Sequence, residues 1–300
     1  MKGRPVDSDS QDRTQPRPAG SAARVVRGVL MAVAAAVGAV VVSGFLHGDP
    51  RITSLIPGAT QAAKPQTEAG KTVPQRALNA PPPGFEEADA PLAKPLPPAT
   101  INESYKFLAV NDDGTPVGYS PCRPLHYVVN AAAAPEGTDA LVTAAIANIS
   151  EASGIQFVND GTTDELPAEK REAYQPAKYG DRWAPLLISW TSPEVVPPLA
   201  DEVIGTGGST MYSLNNGPKS YISGSLQLDS PQVAELLAEP GGADYVLAVI
   251  QHELGHVMGL DHVDDPVQLM YPEIGAPDGL AAGDLTGLHL LATSPCRKDI

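Results

Sequence analysis

The chain has 300 residues, long for one domain, and 20 Lys and Arg against 35 Asp and Glu leave a net charge of −15. The charge is split: residues 1–100 hold 11 basic against 8 acidic side chains (+3), and residues 101–300 hold 9 against 27 (−18). That field repels phosphates and excludes nucleic acid as a partner of the last two thirds, while two cysteines exclude a Cys-rich zinc module or a dense disulfide scaffold.

Residues 1–27 are polar and basic and show no apolar period, which predicts a disordered cytoplasmic tail. Residues 28–46 are uncharged and rich in Val and Ala. As a helix they span roughly 28 Å, close to the hydrocarbon thickness of a bilayer. Basic residues precede the run and Asp49 follows it, so the rest of the chain is expected outside the cell membrane. The run reads as a single-pass signal anchor or, alternatively, as a cleaved signal peptide that leaves a secreted protein. Residues 47–100 hold 11 prolines and no hydrophobic period, the composition of a semi-rigid linker; a pro-segment is the competing reading.

Residues 101–300 read as one domain with interleaved strands and helices. Tyr105–Ala109 and Val117–Tyr119 flank the turn Asn111-Asp112-Asp113-Gly114. Leu125–Val129 is β-rich. Apolar residues at helical spacing predict a helix over Thr138–Ser153, with Thr138 as N-cap and Gly154 as its stop. Ile155–Val158 is a short strand, and 159–183 a surface loop. Pro185–Trp190 is a buried-type strand. Gly-rich 205–208 precedes an extended segment, clearest at Tyr221–Leu228. A second helix is expected over about 244–258 and a third over about 280–292.

Chemistry concentrates in His252-Glu253-Leu254-Gly255-His256-Val257-Met258-Gly259-Leu260-Asp261-His262. His252 and His256 lie one helical turn apart on one face, a spacing that lets both bind one metal ion. Glu253 points beside that ion, where its carboxylate can take a proton from water. Gly259 can adopt positive φ, end the helix and turn His262 back as a third ligand. Three neutral imidazoles with an open fourth position describe a catalytic zinc site rather than a closed structural one. Three of the six histidines fall in these eleven residues; His47, His126 and His289 are read as linker, strand and helix surface.

With these residues the sequence resembles the metzincin zinc proteases, and within them the matrixins. Leu269-Met270-Tyr271-Pro272 matches the Met-turn signature, and Leu280, Asp284, Gly287 and Leu288 match the pattern of the last helix. The resemblance covers roughly 120–295. It implies an α+β zincin domain with a mixed twisted sheet, an active-site helix and a C-terminal helix. It also implies one catalytic Zn2+, a polypeptide substrate, Met270 as the floor of the metal site and Asp284 as a support of the Met-turn. Gly205-x-Gly207-Gly208 is similar to the glycine-rich approach to the substrate-binding edge strand. The chain departs from the family in three places. Ser209–Tyr212 lacks the histidine of a structural zinc site. Ile274 stands where an aromatic residue often lines the S1′ pocket. The latency motif Pro-Arg-Cys-Gly is absent.

An exported location is oxidising, so Cys122 and Cys296 are expected as a disulfide that ties the start of the domain to its end, with free thiols as the alternative. Carboxylates in a domain of this charge are able to hold Ca2+, but no EF-hand pattern is present. Two functions besides the protease stay open: a zinc-binding protein that recognises peptides or the cell envelope without cleavage, and a peptidoglycan cross-link hydrolase. Oligomeric state leaves no trace in the sequence.

Overall fold

A computed structural model describes residues 79–274 and 279–300. The expected tail (1–27), membrane segment (28–46) and most of the linker (47–78) lie outside them. Among the described residues no helix is long and apolar enough to cross a membrane.

Strands β1 (Leu125–Asn130), β2 (Phe157–Thr162), β3 (Leu186–Thr191), β4 (Gly205–Tyr212) and β5 (Ser220–Asp229) form one sheet in the order β2-β1-β3-β5-β4. The first four positions pair in parallel, and β4 closes the edge antiparallel to β5. A parallel pair needs a crossover, and helix α1 (Thr138–Ser153) supplies the one between β1 and β2. A four-residue helix, α2 (Pro176–Tyr179), lies in the next connection. Helices α3 (Ser230–Leu237), α4 (Gly242–Met258) and α5 (Ala282–Leu291) follow the sheet. The result is the expected α+β class with a mixed sheet.

The central strand β3 is buried at all six positions, as its unbroken run LLISWT demands. Leu186, Ile188 and Trp190 pack into one core with Leu226 and Leu228 of β5, Val142, Ile146 and Ile149 of α1, and Val246, Val249, Ile250 and Leu254 of α4. The chemistry-bearing helix is therefore a core element, with all of residues 248–258 buried.

Several local expectations change. Thr138 is the first helical residue instead of the cap. Gly137 holds the cap position at φ 82°, and the Thr138 hydroxyl donates to Pro135 O at 2.7 Å. The second strand starts two residues later than expected, at Phe157. Tyr105–Ala109 and Val117–Tyr119 make only isolated bridges, Phe107 with Leu260 and Tyr119 with Tyr221. The loop 159–183 contains the end of β2 and α2, and is fastened inward by Arg171. That guanidinium bonds the Glu165 carboxylate twice, at 2.7 and 2.9 Å, and also donates to Ser223 Oγ and Gly224 O. Helix α3 is unforeseen. Asp229 caps it by accepting from Gln232 N, and Pro231 sits in its first turn.

The described end of the Pro-rich stretch is not a spacer. Residues 79–100 run along the domain through Gly84 N to Ile300 O, Ala88 N to Cys122 O, Leu92 N to Pro121 O and Leu96 N to Glu151 O. Ala80 is buried with Trp183, Ile222 and Ile300. Proline removes donors, so such a segment docks through its remaining N–H groups and needs no sheet. Cys122 and Cys296 are bonded to each other, Cα atoms 5.3 Å apart, beside this segment.

Candidate metal centre

Helix α4 ends where Gly259 turns at φ 119°, a conformation that a side chain would strain. The next three residues are pinned from outside the motif. Leu108 N donates to Gly259 O and Asp261 N donates to Lys106 O. Asp261 Oδ1 accepts from His262 N, and Lys106 Nζ lies 2.5 Å from Asp261 Oδ2. The turn thereby returns His262 to the helix face carrying His252 and His256.

The three imidazoles converge. His262 Nε2 lies 3.1 Å from Nε2 of both His252 and His256. The other ring nitrogens are already committed: His252 Nδ1 donates to Leu269 O at 2.6 Å and His256 Nδ1 to Leu260 O at 2.9 Å. Those bonds fix the tautomer and leave the Nε2 lone pairs of both rings facing the same point. A neutral His262 has one ring proton and cannot satisfy both. Burial lowers the pKa of His252 well below the ordinary value, takes His256 to about 4 and lowers His262, so a shared proton is not the answer at neutral pH. A tetrahedral ion with bonds of about 2.0–2.1 Å separates its ligands by about 3.3 Å, close to the observed spacing. The donor set, three neutral imidazoles, suits zinc.

Glu253 stands beside this cluster, 1% exposed, with Oε1 buried and unpartnered. Burial raises its carboxyl to about 8, opposed by a hydrogen bond from Gly207 N–H. The edge strand β4 presses directly on it. A Cβ at Gly207 would lie 2.2 Å from Glu253 O, and one at Gly205 would lie 2.7 Å from Glu253 Cγ. Ser209 Oγ fastens the same strand to α4 by donating to Val257 O at 2.7 Å. The expected glycine-rich approach is thus the edge strand itself.

Met270 is buried, and its sulfur occupies the space over Gly255, where a Cβ would approach it to 2.5 Å. The buried Asp284 carboxylate accepts from Leu269 N (2.7 Å), Met270 N (3.1 Å) and Ala281 N (2.8 Å). Burial raises its pKa and those three N–H groups oppose the rise. The Leu269–Met270 peptide carries both ends of a relay: its N–H, on Met270, meets Asp284 and its C=O, on Leu269, meets His252 Nδ1. Asp284 thus acts on the first histidine through one peptide unit.

Over residues 201–291 the chain matches the sequence model of the matrixin peptidases. That segment is matrixin-like. It is 33% identical over 95 residues to macrophage metalloelastase of Oryctolagus cuniculus, covering 30% of this chain and 19% of the relative. It is 37% identical over 92 residues to matrilysin of Felis catus, covering 29% and 33%. The matched stretch therefore spans a third or less of the length of these relatives. Among solved structures the chain is similar to archaemetzincin of Methanopyrus kandleri, at 16% identity and TM-score 0.36 over 56% of this chain and 95% of that one. It is also similar to a hatching-enzyme zinc protease of Oryzias latipes, at 15% identity and TM-score 0.30 over 67% and 100%.

The matrixin-like segment contains every residue expected at the site: His252, Glu253, His256, Gly259, His262, Met270 and Asp284. It excludes β1, α1, β2 and β3, and also Lys106 and Leu108, which hold the segment of the third ligand. Ile274 is buried beyond the Met-turn, and its carbonyl accepts from Tyr245 OH at 3.3 Å. His126 lies elsewhere, its Nδ1 2.8 Å from Asp160. His289 lies on α5, and His47 is outside the described residues. The other cluster with ligand spacing among the described residues, Glu87 with Cys122 and Cys296, has both sulfurs in the disulfide.

Sequence reading missed Gln268. This buried amide accepts from Gly283 N at 2.7 Å and donates to Asp265 Oδ2 at 2.8 Å, joining the Met-turn to α5. It also missed the carbonyls of Leu260 and Leu269. Backbone acceptors carry no residue-type signal, so no pattern could have revealed them.

Proposed function

We propose that the chain is a zinc-dependent endopeptidase acting on exported proteins. The observation that carries this reading is the convergence of three Nε2 lone pairs at 3.1 Å beside a buried glutamate with a free carboxylate oxygen. His252, His256 and His262 would hold the ion. Zinc at that point supplies a Lewis acid, which acidifies water and polarises a peptide carbonyl.

The rest falls to the protein. Substrate would lie extended on the free edge of β4, adding main-chain hydrogen bonds to an antiparallel edge. Glu253 Oε1 accepts the proton of the attacking water, and Glu253 then gives it to the leaving amine. Gly205 and Gly207 let the strand sit close enough that substrate and Glu253 share one cleft. The supporting hydrogen bonds hold two imidazoles in the tautomer that leaves Nε2 free. Export follows from the apolar run at 28–46, which would anchor the chain with the domain outside; the disulfide agrees with an oxidising compartment.

The test uses the full chain with a denatured protein substrate, with and without a chelator, beside Glu253→Ala. Cleavage should vanish with the chelator, return with added zinc, and be lost in the variant. Chelator-resistant cleavage, or full activity in Glu253→Ala, would overturn the proposal.

A further inference from the structure

We infer that the proposed active site selects cationic polypeptide, segments rich in Lys or Arg; this rests on the peptidase reading above and specifies its substrate class. Residues 220–296 contain no Lys or Arg and eleven Asp and Glu. This stretch is β5, α3, α4, the Met-turn and α5, and it carries every proposed metal ligand and Glu253. Two basic residues from outside are fastened to it: Lys106 pairs with Asp261, and Arg171, itself paired with Glu165, donates to Ser223 Oγ and Gly224 O on β5.

Beyond the third ligand stands Asp264, exposed, and beyond Met270 stands Glu273, half-exposed. Neither forms an ion pair among the described residues, and Lys106, the cation that feels the charge of Asp264, is held on Asp261. Within the same 77-residue stretch the buried Oε1 of Glu253, beside the three histidines, has no partner of its own. A cavity of about 360 Å3 opens on an adjoining stripe of α4, where Asp244, Leu247, Ala248 and Gln251 recur at helical spacing. The charged residues that line it among those described are Asp244 and Glu151, and Leu247, Leu280 and Leu285 supply aliphatic walls. Carboxylates over an aliphatic wall match the charged head and apolar stem of a Lys or Arg side chain. A cleft lined by one sign of charge with low-dielectric walls focuses its field on an incoming ligand and raises its encounter rate.

The experiment uses two peptides with the same central sequence, one flanked by lysines and one by glutamates. Binding is read by fluorescence anisotropy on the chelator-stripped full chain, which keeps Glu253, and cleavage is read on the zinc-loaded chain. The lysine peptide should bind about tenfold tighter at low ionic strength. The gap should narrow in high salt, as screening requires. Asp264→Asn with Glu273→Gln should shrink the gap at unchanged zinc content. Equal binding, or preference for the glutamate peptide, would overturn the inference whatever is cleaved. A gap untouched by the double variant would overturn its assignment to this rim. Tighter binding of the lysine peptide with cleavage of neither would uphold the charge preference and overturn the peptidase reading.

Discussion

Two polar clusters in this domain, one buried and one half-buried, treat charge in opposite ways. On α4 the histidines are pushed toward neutrality and Glu253 is pushed up to about 8, with one oxygen left unpartnered. In the loop after β2, burial also works to raise the pKa of Glu165. There Arg171, Gln175 and Tyr179 all bond its carboxylate and outweigh burial, so it falls to about 2. Both carboxylates lose solvent, Glu253 completely and Glu165 in part. The difference lies in partners. The Glu165 cluster is complete within the chain and serves to fasten a long loop. The α4 cluster is incomplete and gains its partners only from something bound. Unsatisfied buried groups are expensive, so where the chain retains them they point to a site.

The sharpest way to break this contrast is to remove Glu253. Glu253→Ala should lower the rate of peptide cleavage at least about 100-fold, since a positioned base contributes that much or more, while zinc content by elemental analysis stays unchanged. Loss of the metal in that variant would mean that Glu253 belongs to the metal's own support. Asp284→Asn tests the relay through Leu269. It keeps the shape but weakens acceptance from three N–H groups, and zinc affinity by competition with a chelating dye should fall about 10- to 100-fold.

The other cluster should respond in stability alone. Arg171→Ala leaves Glu165 charged and half-abandoned, and urea unfolding should show a loss of about 2 kcal/mol, less than for a fully buried pair because Gln175, Tyr179 and solvent still reach the carboxylate. Its zinc affinity should not move. The smallest effect is on acid stability. The folded-state pKa of Glu165 is depressed, so its contribution is fully present above the ordinary carboxylate value and is lost as pH falls through about 2. Glu165→Gln should therefore be less stable than the natural chain at neutral pH. The difference between the two unfolding curves should narrow as pH falls below the ordinary carboxylate value of 4.5 and close near about pH 2. A difference independent of pH would show that the ion pair is not what the cluster supplies.

Much of the site was legible because its chemistry depends on residue type at helical spacing. His252, Glu253 and His256 are fixed relative to one another by one turn of α4, and Gly259 marks the end of that turn without any knowledge of the fold. The strand β3 was legible from its apolar run, and α1 from its period. The position of His262 was legible only in outline. Its return depends on Lys106 and Leu108, about 150 residues earlier, which pair with the chain at Asp261 and Gly259. The docking of 79–100 was misread because proline-rich composition signals only the absence of a regular element. It says nothing of whether scattered N–H groups find acceptors on a nearby surface.

Metal-ligand spacing, the interleaving of strands and helices and the uneven charge are readable in the chain alone, because each is carried by side-chain type and short-range period. Only the tertiary structure decided which carbonyls orient the histidines, that β4 presses on Glu253, and that one buried carboxylate is satisfied while the other is not. Those features depend on backbone groups and on contacts between distant segments. A backbone N–H or C=O is the same at almost every position, so it leaves no mark in the sequence until the fold brings it to a partner.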